Sequence, residues 1–188
     1  ADMYLWTVEF LAQMGYDQYE ISNFAKPGRE SRHNLKYWTL QEYVGFGPGA
    51  HSDFGGVRYA YDRDLEGYIR GVQTHAPMLS ESESIPPLDR DTEWLMLGLR
   101  TVQGLDPKVF ERRFRRRFDC FRPFLEECRT AGYAVEEEGL WHLTPKGFLV
   151  SNQIIGGMLD ALASEKRRRA EATARGDFRV DLGNPGKA

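Results

Sequence analysis

Phenylalanine recurs every four residues at Phe110, Phe114 and Phe118, shortly after the pair Asp106-Pro107. This spacing places three large rings on one face of a helix, and Asp followed by Pro is typical of an N-cap and a first helical position. Because such a face must be buried, the second half of the chain is predicted to fold around a helical core.

Five arginines share this predicted helix, which spans residues 107–118. Charged residues opposite an apolar stripe usually form the solvated face of a helix, and we interpret the run in that way. A patch that binds nucleic acid is the alternative. The run consists of Arg112, Arg113, Arg115, Arg116 and Arg117.

Further stripes and turn signals complete the second half. One apolar stripe precedes the phenylalanine helix, and another follows it and ends at Gly132. Two short strands are predicted over residues 133–136 and 140–143, joined by a turn that contains Gly139. A last helix is predicted to start at Thr144-Pro145. The two stripes are Leu95, Leu99 and Val102, and Phe121, Phe124, Leu125 and Cys128.

The first half alternates helix and strand signals. Residues 2–14 predict a helix that Gly15 ends, and residues 19–22 predict a strand. A helix, a glycine turn and a strand form the repeating step of an α/β fold. We then predict a polar connection over residues 23–32, a second strand over residues 43–47 and a short helix over residues 64–72.

Composition changes at residues 80–87, where polar residues and two prolines interrupt the patterns. We therefore predict a domain boundary there, between an α/β domain over residues 1–80 and a mainly helical, winged-helix-like domain over residues 81–163. Residues 164–188 predict a fraying helix end and a disordered tail, because charged residues, Gly, Asp and Asn replace the apolar pattern.

Bulk composition excludes several classes of protein. The 188 residues carry a formal net charge of −3 and are 41% hydrophobic, which is ordinary for a globular chain and unlike a polyanion binder. No stretch approaches the roughly 20 apolar residues of a membrane helix, and no signal peptide is visible, so a cytoplasmic protein is expected. Since the chain opens with Ala1-Asp2 and not with Met, we also expect a fragment.

The two cysteines are Cys120 and Cys128. On a helix they would lie about two turns apart, which is too far for a disulfide, so we interpret them as small core residues in a reducing compartment. Two cysteines do not supply the ligands that an iron–sulfur cluster or a structural zinc site requires.

Residues 31–38 hold the most informative polar group, His33. A neutral imidazole nitrogen can ligate a metal, and a single axial His holds the iron of many hemes. Tyr37 lies four residues on, so a helical turn would place its ring beside His33, where flat aromatic faces suit a porphyrin. A packed or hydrogen-bonded histidine is the alternative and is the commoner role of a lone His.

Residues 45–52 form a second candidate, a glycine-rich stretch after the second predicted strand. Gly47 and Gly49 would let the backbone approach a ligand closely, and His51 and Ser52 would offer polar groups at the end of a strand where ligands bind in parallel α/β folds. A turn at a barrel rim is the alternative. The Lys-Ser/Thr ending of a phosphate-binding loop is absent.

Four segments together occur in the order found in one known family. They resemble HemW-type proteins, which are relatives of the oxygen-independent coproporphyrinogen III oxidase. The resemblance covers about residues 1–162 and is strongest over residues 16–54. The segments are residues 19–28 (Tyr-Glu-Ile-Ser-Asn-Phe-Ala-Lys-Pro-Gly), 31–34 (Ser-Arg-His-Asn), 37–38 (Tyr-Trp) and 45–52 (Gly-Phe-Gly-Pro-Gly-Ala-His-Ser).

The resemblance implies a fold in which residues 1–80 are the C-terminal part of a partial TIM-like radical-SAM barrel. Family members carry a Cys-x-x-x-Cys-x-x-Cys motif that binds a [4Fe–4S] cluster and S-adenosylmethionine, and this chain lacks it. The resemblance also implies a set of residues at the barrel mouth, near cofactor or porphyrin, although Glu20, Ser22 and Asn23 taken alone are interpreted as structural caps. The set is Glu20, Ser22, Asn23, Gly47, Gly49, Ala50, His51 and Ser52.

The heme chaperone branch of this family has a His-Asn-x-x-Tyr-Trp motif that is associated with heme binding. His33, Asn34, Tyr37 and Trp38 match it fully. The resemblance therefore implies that these four residues bind heme, with His33 at the heme iron. True coproporphyrinogen oxidases are not expected to carry the motif, which favours the chaperone branch.

The leading hypothesis is a protein that binds heme and delivers it to apoproteins such as respiratory enzymes. The alternatives are an oxygen-independent coproporphyrinogen III oxidase and, less favoured, a winged-helix module that binds nucleic acid. Nucleic acid is not an expected partner, whereas peripheral membrane association and a homodimer remain open expectations. The chain alone is expected to have no radical-SAM activity.

Overall fold

The computed structural model describes residues 1–175, which form short helices and three small antiparallel sheets. Seven strands belong to these sheets, and every strand pair among the described residues is antiparallel. The helices are α1 (Asp2–Gln13), α2 (Arg32–Trp38), α3 (Leu65–Thr74), α4 (Asp91–Gly98), α5 (Pro107–Phe114), α6 (Arg122–Thr130), α7 (Pro145–Leu149) and α8 (Ser151–Ala174). The strands are β1 (Asp17–Glu20), β2 (Asn23–Ala25), β3 (His51–Phe54), β4 (Val57–Tyr61), β5 (Leu79–Ser84), β6 (Ala134–Glu137) and β7 (Leu140–Leu143).

The core lies in the second half, as the phenylalanine stripe predicts. Phe110, Phe114 and Phe118 are buried, and the ring of Phe110 lies 5.2 Å from that of Phe114 and 5.3 Å from that of Phe121. Tilted and edge-on ring pairs at such distances are favourable beyond the area they bury. Phe118 belongs to a 3-10 turn and not to α5, because the helix ends at Phe114 and the next residue, Arg115, has a φ of +53°.

Predicted capping and turn signals of the second half are confirmed. The Asp106 carboxylate accepts hydrogen bonds from the Lys108 and Val109 amides, which caps α5. β6 and β7 form a hairpin around Glu138 and Gly139, both with positive φ, as in the tight turns that match the strand twist. Val102 leaves the predicted stripe, since α4 ends at Gly98 and the Val102 side chain is exposed.

The first half differs from its predicted pattern. Residues 43–47 were predicted as a strand, which is wrong, because Tyr43 makes only an isolated bridge to Asp53 and the following glycines turn the chain. The predicted polar connection after Ser22 contains β2, which pairs with β1. A β3–β4 hairpin closes through Gly55 and Gly56 and was not predicted.

Most of the segment at residues 80–87, where a domain boundary is predicted, forms strand β5. β5 pairs with β4, so the three-stranded sheet β3–β4–β5 extends to residue 84. α8 continues to Ala174, so the first part of the segment predicted as a fraying helix end and a disordered tail is helical. Residues 176–188, the rest of that predicted tail, lie outside the described residues.

Candidate functional site

Helix α2 carries the motif at residues 33–38. It begins at Ser31, whose hydroxyl accepts a hydrogen bond from the Asn34 amide, 3.3 Å away. After Trp38 the chain turns sharply, since Leu40 has a φ of +53°. The short helix therefore presents its side chains between two turns, and the motif residues are divided between two of its faces.

His33 and Tyr37 share the exposed face, as their spacing of four residues predicts. The Tyr37 hydroxyl lies 2.9 Å from His33 Nε2, and the two rings meet edge to face with centroids 5.0 Å apart. Because this hydrogen bond engages Nε2, a metal ion would bind Nδ1 or displace the Tyr37 hydroxyl.

Asn34 and Trp38 occupy a different face of α2. The Asn34 side-chain amide donates a hydrogen bond to the Tyr19 hydroxyl, 3.4 Å away on β1. Trp38 lines a cavity of about 300 Å³ together with Trp94, Thr101 and other residues of the second half. The Trp38 indole nitrogen is buried, and it has no hydrogen-bond partner among the described residues. Trp38 thus contacts the α4 side of the molecule, not the His33 face.

A third aromatic residue, Tyr43, joins the exposed face and was missed by the sequence analysis. Its ring meets the Tyr37 ring edge to face, with centroids 4.6 Å apart. Tyr43 is also the partner of Asp53 in an isolated antiparallel bridge, where each backbone amide donates to the other residue's carbonyl at 2.9 Å. No periodic pattern links Tyr43 to Tyr37, because the turn at Leu40 separates them.

Glu20, one of the residues predicted at the barrel mouth, is fully buried, with an exposed fraction of 0%. Its carboxylate accepts a hydrogen bond from the Asn23 side-chain amide, as a structural cap would. Its second carboxylate oxygen is buried and has no partner in the part of the chain described. Ser22, between them, is exposed.

The glycine-rich stretch makes a separate set of contacts. The Gly47 amide donates to the Tyr68 hydroxyl at 3.1 Å, and the Gly49 amide donates to the Asp62 carbonyl at 2.9 Å. Ser52 is buried and its hydroxyl accepts from the Gly45 amide, whereas His51 is exposed and Ala50 is half-buried. These bonds account for the stretch as a turn packed on α3 and β4. A ligand-binding role for Gly47–Ser52 stays a prediction.

Two ion pairs connect the β3–β4 hairpin to α4. The Arg90 guanidinium donates to both carboxylate oxygens of Asp53, at 2.5 and 2.7 Å, and both side chains are about nine-tenths buried. Arg58 makes a similar two-bond pair with Glu93, at 2.7 and 2.8 Å. The Arg90 hydrogen bonds hold the pKa of the Asp53 carboxyl below its ordinary value.

Among residues 1–175, no cluster of three or more His, Cys, Asp or Glu side chains is placed to hold a metal ion. Cys120 and Cys128 are both free thiols, and burial raises the pKa of the Cys120 thiol to about 11. No helix in the same range is long and apolar enough to cross a membrane.

Comparison with known proteins defines the class. Residues 85–150 match the family model of the HemN C-terminal domain. The fold is similar to that of coproporphyrinogen III oxidase (HemN) from Escherichia coli, described as a radical SAM enzyme, with a TM-score of 0.60, 19% identity, and coverage of 84% of this chain and 40% of that one.

Curated relatives are more specific. The chain is 34% identical over 163 residues to the heme chaperone HemW of Bacillus subtilis (strain 168), covering 86% of this chain and 43% of the relative. It is 32% identical to HemW of Lactococcus lactis, covering 82% and 40%, and 30% identical to HemW of Escherichia coli K12, covering 80% and 41%. The chain belongs to the HemW-type family of radical-SAM heme chaperones. It spans less than half the length of these relatives.

Proposed function

We propose that this chain carries the heme-binding part of a HemW-type heme chaperone, with heme held on the His33–Tyr37 face of α2. The observation that carries the proposal is the hydrogen bond between the Tyr37 hydroxyl and His33 Nε2 on an exposed helical face. In the tautomer whose Nε2–H donates to the Tyr37 hydroxyl, Nδ1 keeps its lone pair, and this is the nitrogen that would be presented to a metal.

The surroundings of His33 suit a porphyrin. Tyr37 and Tyr43 add two aromatic rings to the face, and both meet edge to face, so they form a continuous apolar wall beside the imidazole. Arg32 precedes the motif and Lys36 lies within it; both are exposed and would offer cations to heme propionates.

In this proposal the four motif residues have different roles. His33 ligates the iron, Tyr37 orients His33, and Asn34 and Trp38 seat the helix on β1 and on the α4 side. In the whole protein, heme would pass from this face to acceptor apoproteins such as respiratory enzymes. The 188 residues hold two cysteines and do not fit a [4Fe–4S] cluster, so no step through a cluster or S-adenosylmethionine is assigned to them.

Heme titration followed by the Soret band tests the proposal. His33→Ala should lower heme affinity by roughly tenfold or more, since even outer-sphere partners of a metal ligand contribute that much. His75→Asn is the matched control, because His75 is an exposed histidine in the left-handed conformation that Asn accepts, at the end of α3.

The chain covers less than half of its relatives, so the same variants are also titrated in a chain extended by the N-terminal region of the Bacillus subtilis relative. Equal heme affinity of wild type and His33→Ala in that longer chain would refute the assignment of His33. A loss in His75→Asn equal to that in His33→Ala would likewise show that histidines bind heme without specificity.

A further inference from the structure

Tyr43 lies outside the motif, yet it contacts the residue that orients His33. Its ring meets Tyr37 at 4.6 Å with an interplanar angle of 72°, and Tyr37 in turn meets His33 at 5.0 Å with an angle of 86°. The three rings thus form one edge-to-face series along the exposed side of α2. Tyr37 itself is 39% exposed, so its ring is not enclosed by the core.

The backbone of Tyr43 pairs with that of Asp53, whose side chain belongs to a buried ion pair. Tyr43 and Asp53 exchange two backbone hydrogen bonds of 2.9 Å, and the Asp53 carboxylate is held on both oxygens by Arg90. Arg90 lies in the 3-10 turn that leads into α4. These contacts thus link the Tyr43 backbone, through Asp53, to the second half of the chain, across 47 positions of sequence from Tyr43 to Arg90.

We propose that Tyr43 is a positioning residue for His33: it holds the Tyr37 ring in the rotamer from which the Tyr37 hydroxyl reaches His33 Nε2. An edge-to-face neighbour restricts rotation of an aromatic ring, and without it a half-exposed tyrosine samples other rotamers. Burial, and then the neighbouring Tyr37, raise the pKa of the Tyr43 hydroxyl, so the ring that contacts Tyr37 stays uncharged. For heme, the inference rests on the proposed function above.

The first experiment needs no heme. Ring-nitrogen chemical shifts of His33 are measured by NMR on the 188-residue chain, which has four histidines to assign. Tyr37→Phe removes the hydroxyl and defines the shift change caused by loss of the hydrogen bond. Tyr43→Leu should move the His33 shifts in the same direction, because it keeps apolar bulk but lacks the ring edge, whereas Tyr43→Phe should restore the wild-type shifts.

Tyr61→Leu is the control for a general effect of losing an aromatic residue. Tyr61 also makes two ring contacts, with Tyr59 and Tyr68, and neither partner lies on α2. The Tyr61→Leu variant should therefore leave the His33 shifts unchanged. Wild-type shifts of His33 in Tyr43→Leu would overturn the inference, and so would a failure of Tyr37→Phe itself to move them.

The second experiment repeats the heme titration with the same variants. Tyr43→Leu should weaken heme binding by about threefold to tenfold and alter the Soret band, as expected when one aromatic contact is lost, while Tyr43→Phe binds as wild type. If Tyr43→Leu weakens heme binding but leaves the His33 shifts of the apo chain unchanged, Tyr43 contacts heme directly and the inference fails. If His33→Ala binds heme as tightly as wild type, the proposed function fails. The NMR result alone then decides whether Tyr43 positions His33.

Discussion

The guanidinium of Arg90 donates a hydrogen bond to each carboxylate oxygen of Asp53, and this pair joins the start of α4 to strand β3. The Asp53 side chain is 10% exposed and that of Arg90 is 8% exposed, so neither charge is well solvated once its partner is lost. Removing one member of a buried pair leaves an uncompensated charge, which is more costly than the pair itself is favourable.

Asp53→Asn is therefore expected to lower the free energy of unfolding by roughly 3 kcal/mol. Urea unfolding followed by circular dichroism measures the change. Asp119→Asn is the matched control, because Asp119 makes an ion pair with Arg117 on an exposed part of the surface, and its loss should be much smaller. Similar losses in the two variants would show that burial does not strengthen the Asp53 pair.

The contribution of Asp53 should depend on pH in a defined direction. Hydrogen bonds from Arg90 lower the pKa of this carboxyl in the folded state, so its ionisation stabilises the fold above the unfolded-state pKa. That stability is lost as the pH falls through the lower folded-state pKa. The difference in unfolding free energy between wild type and Asp53→Asn should stay constant from pH 7 to about 5 and shrink below about 4. A difference that grows on acidification would contradict the sign.

Trp38 should matter more for docking of α2 than for heme contact. Its indole lines the cavity beside Trp94 and Thr101, so Trp38→Ala should cost about 2 kcal/mol of unfolding free energy, while Trp38→Phe should cost less. Trp6→Ala is the control, since Trp6 is 61% exposed and stacks on Phe10 alone. In both Trp38 variants the residual heme complex should keep the shape of the wild-type Soret band. A changed band in Trp38→Phe would indicate direct contact with heme.

Anaerobic reconstitution of this chain with iron and sulfide should give no [4Fe–4S] absorption. Two thiols cannot supply three cluster ligands, and burial of Cys120 and Cys128 raises both thiol pKa values, which disfavours the thiolate form that binds iron. Iron and sulfide analysis after desalting is the measurement. A stoichiometric cluster would refute the prediction, and its loss in a Cys120→Ser, Cys128→Ser double variant would locate it.

The second half of the chain should not bind DNA. The β6–β7 hairpin carries Glu136, Glu137 and Glu138, and Glu136 lies 3.9 Å from both Arg122 and Arg129, the cations of α6. Phosphate neutralisation supplies most non-specific affinity, and an acidic hairpin opposes it.

This prediction is demanding, because two basic segments of the chain lie together in the structure and could attract phosphates. The Arg169 guanidinium donates to the Arg115 carbonyl, so residues 112–117 and 166–169 meet. Several of their cations are paired with buried carboxylates: Arg116 and Lys166 with Asp91, and Arg168 and Arg169 with Glu165. A mobility-shift assay of the whole chain at low salt measures the outcome. Salt-sensitive micromolar binding to random duplex would restore the nucleic-acid hypothesis.

Several features of the second half could be predicted because each is marked by residues that lie close together in the sequence. The phenylalanine spacing, the Asp106 cap and the hairpin at Glu138-Gly139 each depend on residues within a few positions of one another. The β3–β4 hairpin also has a local turn signal, Gly55-Gly56, which the sequence analysis missed.

Other features left no local signal. Every residue of β5 is exposed, so no apolar alternation marks the strand, and only backbone pairing with β4 defines it. The last turns of α8 lack an apolar stripe but are supported by Glu165, which is buried and bonded to Arg168 and Arg169. A partial barrel and a winged helix remain predictions.

The same distinction holds at the candidate site. The contact of His33 with Tyr37 follows from a spacing of four residues on a helix. The contact of Tyr37 with Tyr43 depends on the turn at Leu40, and that of Asp53 with Arg90 joins positions far apart in the chain. Contacts of that kind arise from tertiary structure alone.

The pairing of β5 with β4 has a consequence for recombination among relatives. A chimera that joins residues 1–84 of one family member to the matched family domain of another would separate Asp53 from its own Arg90, and Arg58 from its own Glu93. A crossover before β3 would keep both pairs in one parent, together with the pairs of buried Asp91 with Arg116 and Lys166, whereas a crossover after α4 would divide the latter.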